Sequence, residues 1–245
     1  MAAPKKLQIV VKEIREFCLE NADEAVVKKY ARFFTEGYDA YGLSMDSFMK
    51  KKDELIEKYC PKLSLEDAMQ LGEMLLESGK YEEASFALYF LDPYADQYTV
   101  EVFQRLGRWL ESGFRNWGHT DVFCGKILAL FFEKEIAHLE DMAEWRESLS
   151  KWKRRAVPVT MIDLLKGCKS VKPLLDFIDP MMMDEDRFVQ QGIGWFLREA
   201  WKMQPEPVEK ILLKWKNDAP RKIFQYATEK MSKEQKERFR RERKK

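Results

Sequence analysis

No apolar run in the sequence approaches the roughly 20 residues that span a bilayer, and Met1–Lys6 leads into no signal-type apolar stretch. The expectation is a soluble protein of the cytoplasm without a membrane anchor. Only four cysteines occur, Cys18, Cys60, Cys124 and Cys168, far apart and without a CxxC pair. They read as reduced packing residues rather than a disulfide framework or a zinc site. His119 and Cys124 flank Asp121, but two isolated ligands make no closed metal site, so no metal is expected. A glycine-rich phosphate loop is missing, which excludes the common nucleotide-cofactor motifs. Net charge is nearly absent too, at +1, and that total argues against a nucleic-acid partner unless the charge is unevenly spread.

It is unevenly spread. Ser232–Lys245 holds eight Lys/Arg (Lys233, Lys236, Arg238, Arg240, Arg241, Arg243, Lys244, Lys245) against three Glu, a segment of +5 that leaves the remainder acidic. Such a run is as readily a solvated helix end as a binding surface. Acidic residues gather at Glu77, Glu82 and Glu83, basic ones at Lys50–Lys52 and Lys151–Arg155, and segregation of this kind predicts one positive face.

Strand-like alternation is nearly absent, whereas apolar residues recur at helical spacing: Leu7, Val10, Val11, Ile14, Phe17, Cys18, and again Leu65, Ala68, Met69, Leu71, Gly72, Leu75. Short breaks with cap or turn chemistry separate the stripes, among them Asn21–Asp23, Tyr41–Ser44, Cys60–Pro61, Ser78–Gly79 and Leu91–Pro93. Roughly a dozen helices follow from these stop signals. So many elements joined by short turns suit stacked helical pairs better than one compact bundle. The fold expected is all-α, a HEAT-like helical repeat superhelix, with a single domain over 1–231 and a basic tail or helix end over 232–245.

Three segments carry candidate chemistry. In Asn116-Trp117-Gly118-His119-Thr120-Asp121 an aromatic ring and a carboxylate four residues apart share a helix face if the helix begins by Trp117; alternatively Thr120 or Asp121 caps a helix beginning near Val122. In Lys151-Trp152-Lys153-Arg154-Arg155-Ala156-Val157-Pro158 cations crowd a first helical turn, against the preference of the helix dipole. The segment is either an exposed basic edge or a phosphate grip through Arg155, and Pro158 either kinks the helix or marks its start. In Gln191-Gly192-Ile193-Gly194-Trp195-Phe196-Leu197-Arg198-Glu199 the two glycines each disfavour a helix by about 1 kcal/mol, which close backbone approach would explain, and Trp195 is either core or cleft.

In order and separation, Trp117 with Asp121, the W-x-x-R-A run ending at Arg155-Ala156, and the I-G-W-x-L-R-E run holding Trp195 and Arg198 resemble the signature of the AlkD-like DNA alkylation-repair family. The likeness is weak from about Tyr30 and sharper from Asn116 to Pro205. It implies a HEAT-like superhelix acting on duplex DNA as a monofunctional glycosylase for cationic N3- and N7-alkylated purines, without cofactor and as a monomer. It further implies Asp121 as the catalytic carboxylate and Trp117 and Trp195 beside the deoxyribose. Arg155 would hold a phosphate, with Arg154, Lys153 and Arg198 as further DNA contacts. The family's commoner motif has an acidic residue directly after the tryptophan, where this chain has Gly118. A non-catalytic DNA-binding member and a HEAT-type protein scaffold are the alternatives.

Overall fold

The computed structural model describes residues 4–242, and the part of the basic tail on Arg243, Lys244 and Lys245 lies outside them. Among the described residues the regular elements are helices, as the periodicity predicts. None is long and apolar enough to cross a membrane. The contacts group the chain into two compact units, Met1–His119 and Thr120–Lys245.

The first unit holds α1 (Lys5–Glu20), α2 (Glu24–Ala31), α3 (Met45–Tyr59), α4 (Leu65–Glu77), α5 (Tyr81–Tyr89), α6 (Val100–Ser112) and the start of α7 (Trp117–Phe123). Both stripes seen in the sequence face inward: Leu7, Val10, Val11, Ile14 and Cys18 of α1 and Ala68, Met69, Leu71 and Leu75 of α4 are buried. α1 packs on α4 and α5. A capping box starts α4, with Ser64 and Asp67 bonding each other's backbone N–H. Two members of the expected acidic cluster are not on the surface. Glu82 is 5% exposed and its carboxylate accepts from the backbone N–H groups of Tyr41 (2.9 Å), Gly42 (2.8 Å) and Leu43 (3.2 Å). Glu83 accepts from Arg15 Nε at 3.0 Å and Tyr41 Oη at 2.8 Å. These charges clamp a loop, so they do not help to segregate surface charge. The clamped loop needs glycine at 42, where φ is +87° and a Cβ would lie 2.1 Å from the Asp23 carbonyl oxygen.

The second unit holds the rest of α7, a π-helical segment Cys124–Leu128, α8 (Ala129–Glu133), α9 (Lys151–Leu164), α10 (Lys172–Ile178), α11 (Arg187–Met203), α12 (Pro205–Trp215), α13 (Arg221–Ala227) and α14 (Lys233–Glu237). α11 is central and packs on α9, α12 and α13. The close backbone approach that the two glycines imply is present at Gly194 and not at Gly192, which lies on the opposite side of the helix. A Cβ at Gly194 would meet the Ile223 carbonyl oxygen and Tyr226 Cβ of α13 at 2.6 Å. One at Gly192 would meet only side-chain atoms of α9, Pro158 at 3.3 Å and Arg155 and Val159 at 3.5 Å. Backbone cannot yield as side chains do. Gly194→Ala should therefore destabilise the fold by about 1–3 kcal/mol through overpacking, with Gly192→Ala close to neutral because its helix-propensity gain of up to ~1 kcal/mol offsets mild crowding. Urea unfolding of the two variants measures the difference.

Candidate active site

The site is built on α7, α9 and the first turn of α11. α7 begins at Trp117, because Asn116 caps it: the Asn116 Oδ1 accepts from the His119 N–H at 3.0 Å. Thr120 and Asp121 thus lie inside the helix, and the alternative in which one of them caps a helix near Val122 does not hold. Trp117 and Asp121 stand one turn apart along α7. The boundary between the two compact units falls after His119.

In the first unit Trp117 is half-buried and braced from behind. Its ring stacks on Phe34 at 5.4 Å, Phe34 stacks on Tyr38 at 4.8 Å, and its Nε1–H donates to the Phe33 carbonyl at 3.2 Å. A locked ring of this kind loses little freedom on binding a ligand. His119 is 3% exposed, with its ring nitrogens on Asn116 Nδ2 (3.0 Å) and Ser85 Oγ (3.1 Å) and its face against Tyr81. Burial pushes its pKa down to about 4, so it is neutral near pH 7. With both nitrogens engaged it pins the start of α7 and offers nothing to a metal.

In the second unit Asp121 and Arg155 form a bidentate pair: Nε donates to Oδ1 at 2.8 Å and Nη2 to Oδ2 at 2.7 Å. The Arg155 side chain is 5% exposed and that of Asp121 15%. Arg155 Nη1 donates to the carbonyl of Phe188, whose ring packs on Trp152 at 5.2 Å. A single guanidinium on α9 therefore ties the carboxylate of α7 to the first turn of α11. Burial pushes the Asp121 carboxyl above its ordinary value, and Arg155 pulls it partly back. Directly after this carboxylate the helix widens into the π segment, a feature that recurs at functional sites. Cys124 within it is fully buried, its Sγ–H near the Ala156 carbonyl at 3.7 Å, and burial pushes the thiol well up. It is no nucleophile at neutral pH.

Each of the cations expected at DNA has a partner within the protein. Arg155 presents no open guanidinium edge for a phosphate; three of its donors are spent on Asp121 and Phe188. Arg154 turns instead to Asp184 (Nε to Oδ2, 2.6 Å) and to the Ser148 carbonyl at 2.7 Å, clamping the loop before α9. Arg198 lies between Glu199 and Glu229. Lys153 Nζ sits over the Trp145 ring at 5.4 Å. α9 starts at Lys151 with Ser150 as cap, so Pro158 is internal and leaves the Arg154 carbonyl without its helical donor. Trp195, on α11, is half-buried rather than core. Periodicity misses the Phe33–Phe34 brace, for which the adjacent aromatics are the sole signal, and it misses the Phe188 carbonyl, which has none.

A family model described as DNA alkylation repair enzyme matches residues 15–231. The fold is similar to the solved structure of a predicted DNA alkylation repair enzyme from Enterococcus faecalis. The TM-score is 0.75 at 15% identity, covering 87% of this chain and 98% of that one. No curated protein matches the chain.

Proposed function

Because the chain belongs to the DNA alkylation repair enzyme family, we propose that it excises cationic N3- and N7-alkylated purines from duplex DNA as a monofunctional glycosylase. The observation that carries this reading is the Asp121 carboxylate, held in a fixed orientation by Arg155 and still 15% exposed at its side chain. An alkylated purine already bears positive charge and leaves readily, so no acid need protonate it. The C1′–N bond breaks with its electron pair going to the base, which departs neutral. Charge then develops on the sugar as an oxocarbenium-like cation, and a fixed anion stabilises it. Water adds at C1′ and loses its proton to Asp121 or to solvent. The faces of Trp117 and Trp195 are proposed to attract the cationic sugar.

Arg155 on this account is a positioning residue that orients Asp121, not a phosphate contact. Phosphates must then be met by other cations. Duplex affinity should fall steeply with salt because each neutralised phosphate releases counterions, by about 10³-fold or more between 50 and 200 mM for six or more contacts. Fluorescence anisotropy with a labelled duplex measures it, and salt-insensitive binding would favour the scaffold alternative. A non-catalytic DNA-binding protein is the second reading. It is favoured by Arg155 engaging both Asp121 oxygens, which leaves each oxygen one lone pair for other work.

A further inference from the structure

The described part of the basic C-terminal segment, 232–242, is docked. Phe239 is 1% exposed, its carbonyl accepts from Arg221 Nη1 at 3.1 Å, and the Glu242 N–H donates to Asn217 Oδ1 at 2.9 Å. Docking forms an open groove of about 530 Å³ against α13, lined by Phe224, Phe239, Arg221, Lys222, Lys236 and Arg240. No carboxylate lines it.

The wall is also poorly neutralised. Lys222 Nζ donates to Gln225, Lys236 Nζ to the Glu229 backbone carbonyl at 3.3 Å, and Arg221 to carbonyls only. Among the described residues none of these three meets a carboxylate. Arg240, the fourth cation of the wall, is paired to Glu237, while Glu229 is committed to Arg198 and Lys230. Arg241, likewise bonded only to the carbonyls of Asp218 and Ala219, crowds Arg221 with like charge. Three cations on a preformed wall, Arg221, Lys222 and Lys236, without a carboxylate partner among the described residues leave a field that an oxyanion relieves.

We propose that this groove, between α13 and the C-terminal segment, binds the phosphodiester backbone of duplex DNA as a contact separate from Asp121. The proposal rests on the duplex-DNA reading above. The shared chemistry is a phosphate oxyanion, but an open groove with cations on two chain segments, Arg221 and Lys222 on α13 and Lys236 and Arg240 on the C-terminal segment, suits a continuous strand better than a single free ion. Lysines act here as point charges, so the contact carries no base information.

The test uses the full chain and an undamaged labelled duplex, titrated with salt. Lys222→Ala/Lys236→Ala should make the slope of log affinity against log salt shallower by about two, one per lost phosphate contact, while Lys222→Arg/Lys236→Arg restores it. Arg240→Ala, on an exposed side chain, should flatten it by about one. Melting temperatures check folding. Slopes unchanged in the variants, with a wild type that binds duplex, overturn the groove alone; a wild type that binds no duplex overturns both the groove and the reading beneath it. Calorimetric titration with inorganic phosphate provides the other arm. Phosphate binding lost in the double variant, with the duplex slope unchanged, would mean a free-anion site and would contradict the proposal.

Discussion

Arg155→Met is expected to lower the stability of the protein by about 3–5 kcal/mol, the scale of breaking a buried ion pair by removing one partner. The guanidinium is nearly inaccessible and makes three hydrogen bonds, so its loss leaves the buried Asp121 carboxylate without its two donors and removes one bond from the Phe188 carbonyl. The effect should depend on pH with a defined sign. Burial already holds the Asp121 carboxyl above its ordinary value, and Arg155 is what pulls it down. A carboxyl with a raised folded-state pKa favours the fold fully below its unfolded value, about 4. That contribution is lost as pH rises through the folded value. The variant should therefore be weakest near neutrality and recover as pH falls toward about 4–5, which urea unfolding across pH reads directly.

A purely structural arginine would stop there. If Arg155 positions and ionises the catalytic carboxylate, the acid limb of kcat/KM must also move to higher pH in Arg155→Met. Asp121→Asn/Arg155→Met should be less destabilised than the sum of its two single variants, because the double change removes both buried charges together. An unmoved acid limb in a variant that still excises would deny Arg155 this role.

How far the sequence foretold the site depends on the range of each interaction. Helical stripes are local, and α1 and α4 bury the residues that their spacing selects. The glycines of α11 were legible because a cost within the helix demanded a neighbour, and the neighbours are α9 and α13. The start of α7 was ambiguous because Gly118 reads as a breaker, while the decisive bond, from the His119 N–H to Asn116 Oδ1, depends on a side-chain orientation. The arginines were not legible at all. Arg155 finds Asp121 34 positions away, Arg154 finds Asp184 30 away and Arg198 finds Glu229 31 away. No local pattern reports which of several cations on one helix turns to a distant carboxylate. The family likeness named Asp121 and Arg155 separately and gave no sign of the bidentate pair that joins them.

The account turns on the charge at Asp121, and one measurement addresses it: release of free 3-methyladenine and 7-methylguanine from methylated duplex DNA by the wild type and by Asp121→Asn. The amide keeps the shape but leaves Arg155 buried without its counter-charge, so the variant will melt lower, and both proteins must be assayed at a temperature where circular dichroism shows each folded. The account predicts release by the wild type. In Asp121→Asn it predicts a rate reduced by about 10²–10³, the scale of removing one preorganised stabilising group, with duplex affinity unchanged within a few-fold. Release by the folded variant at the wild-type rate, or none by a wild type that binds the duplex, would contradict it.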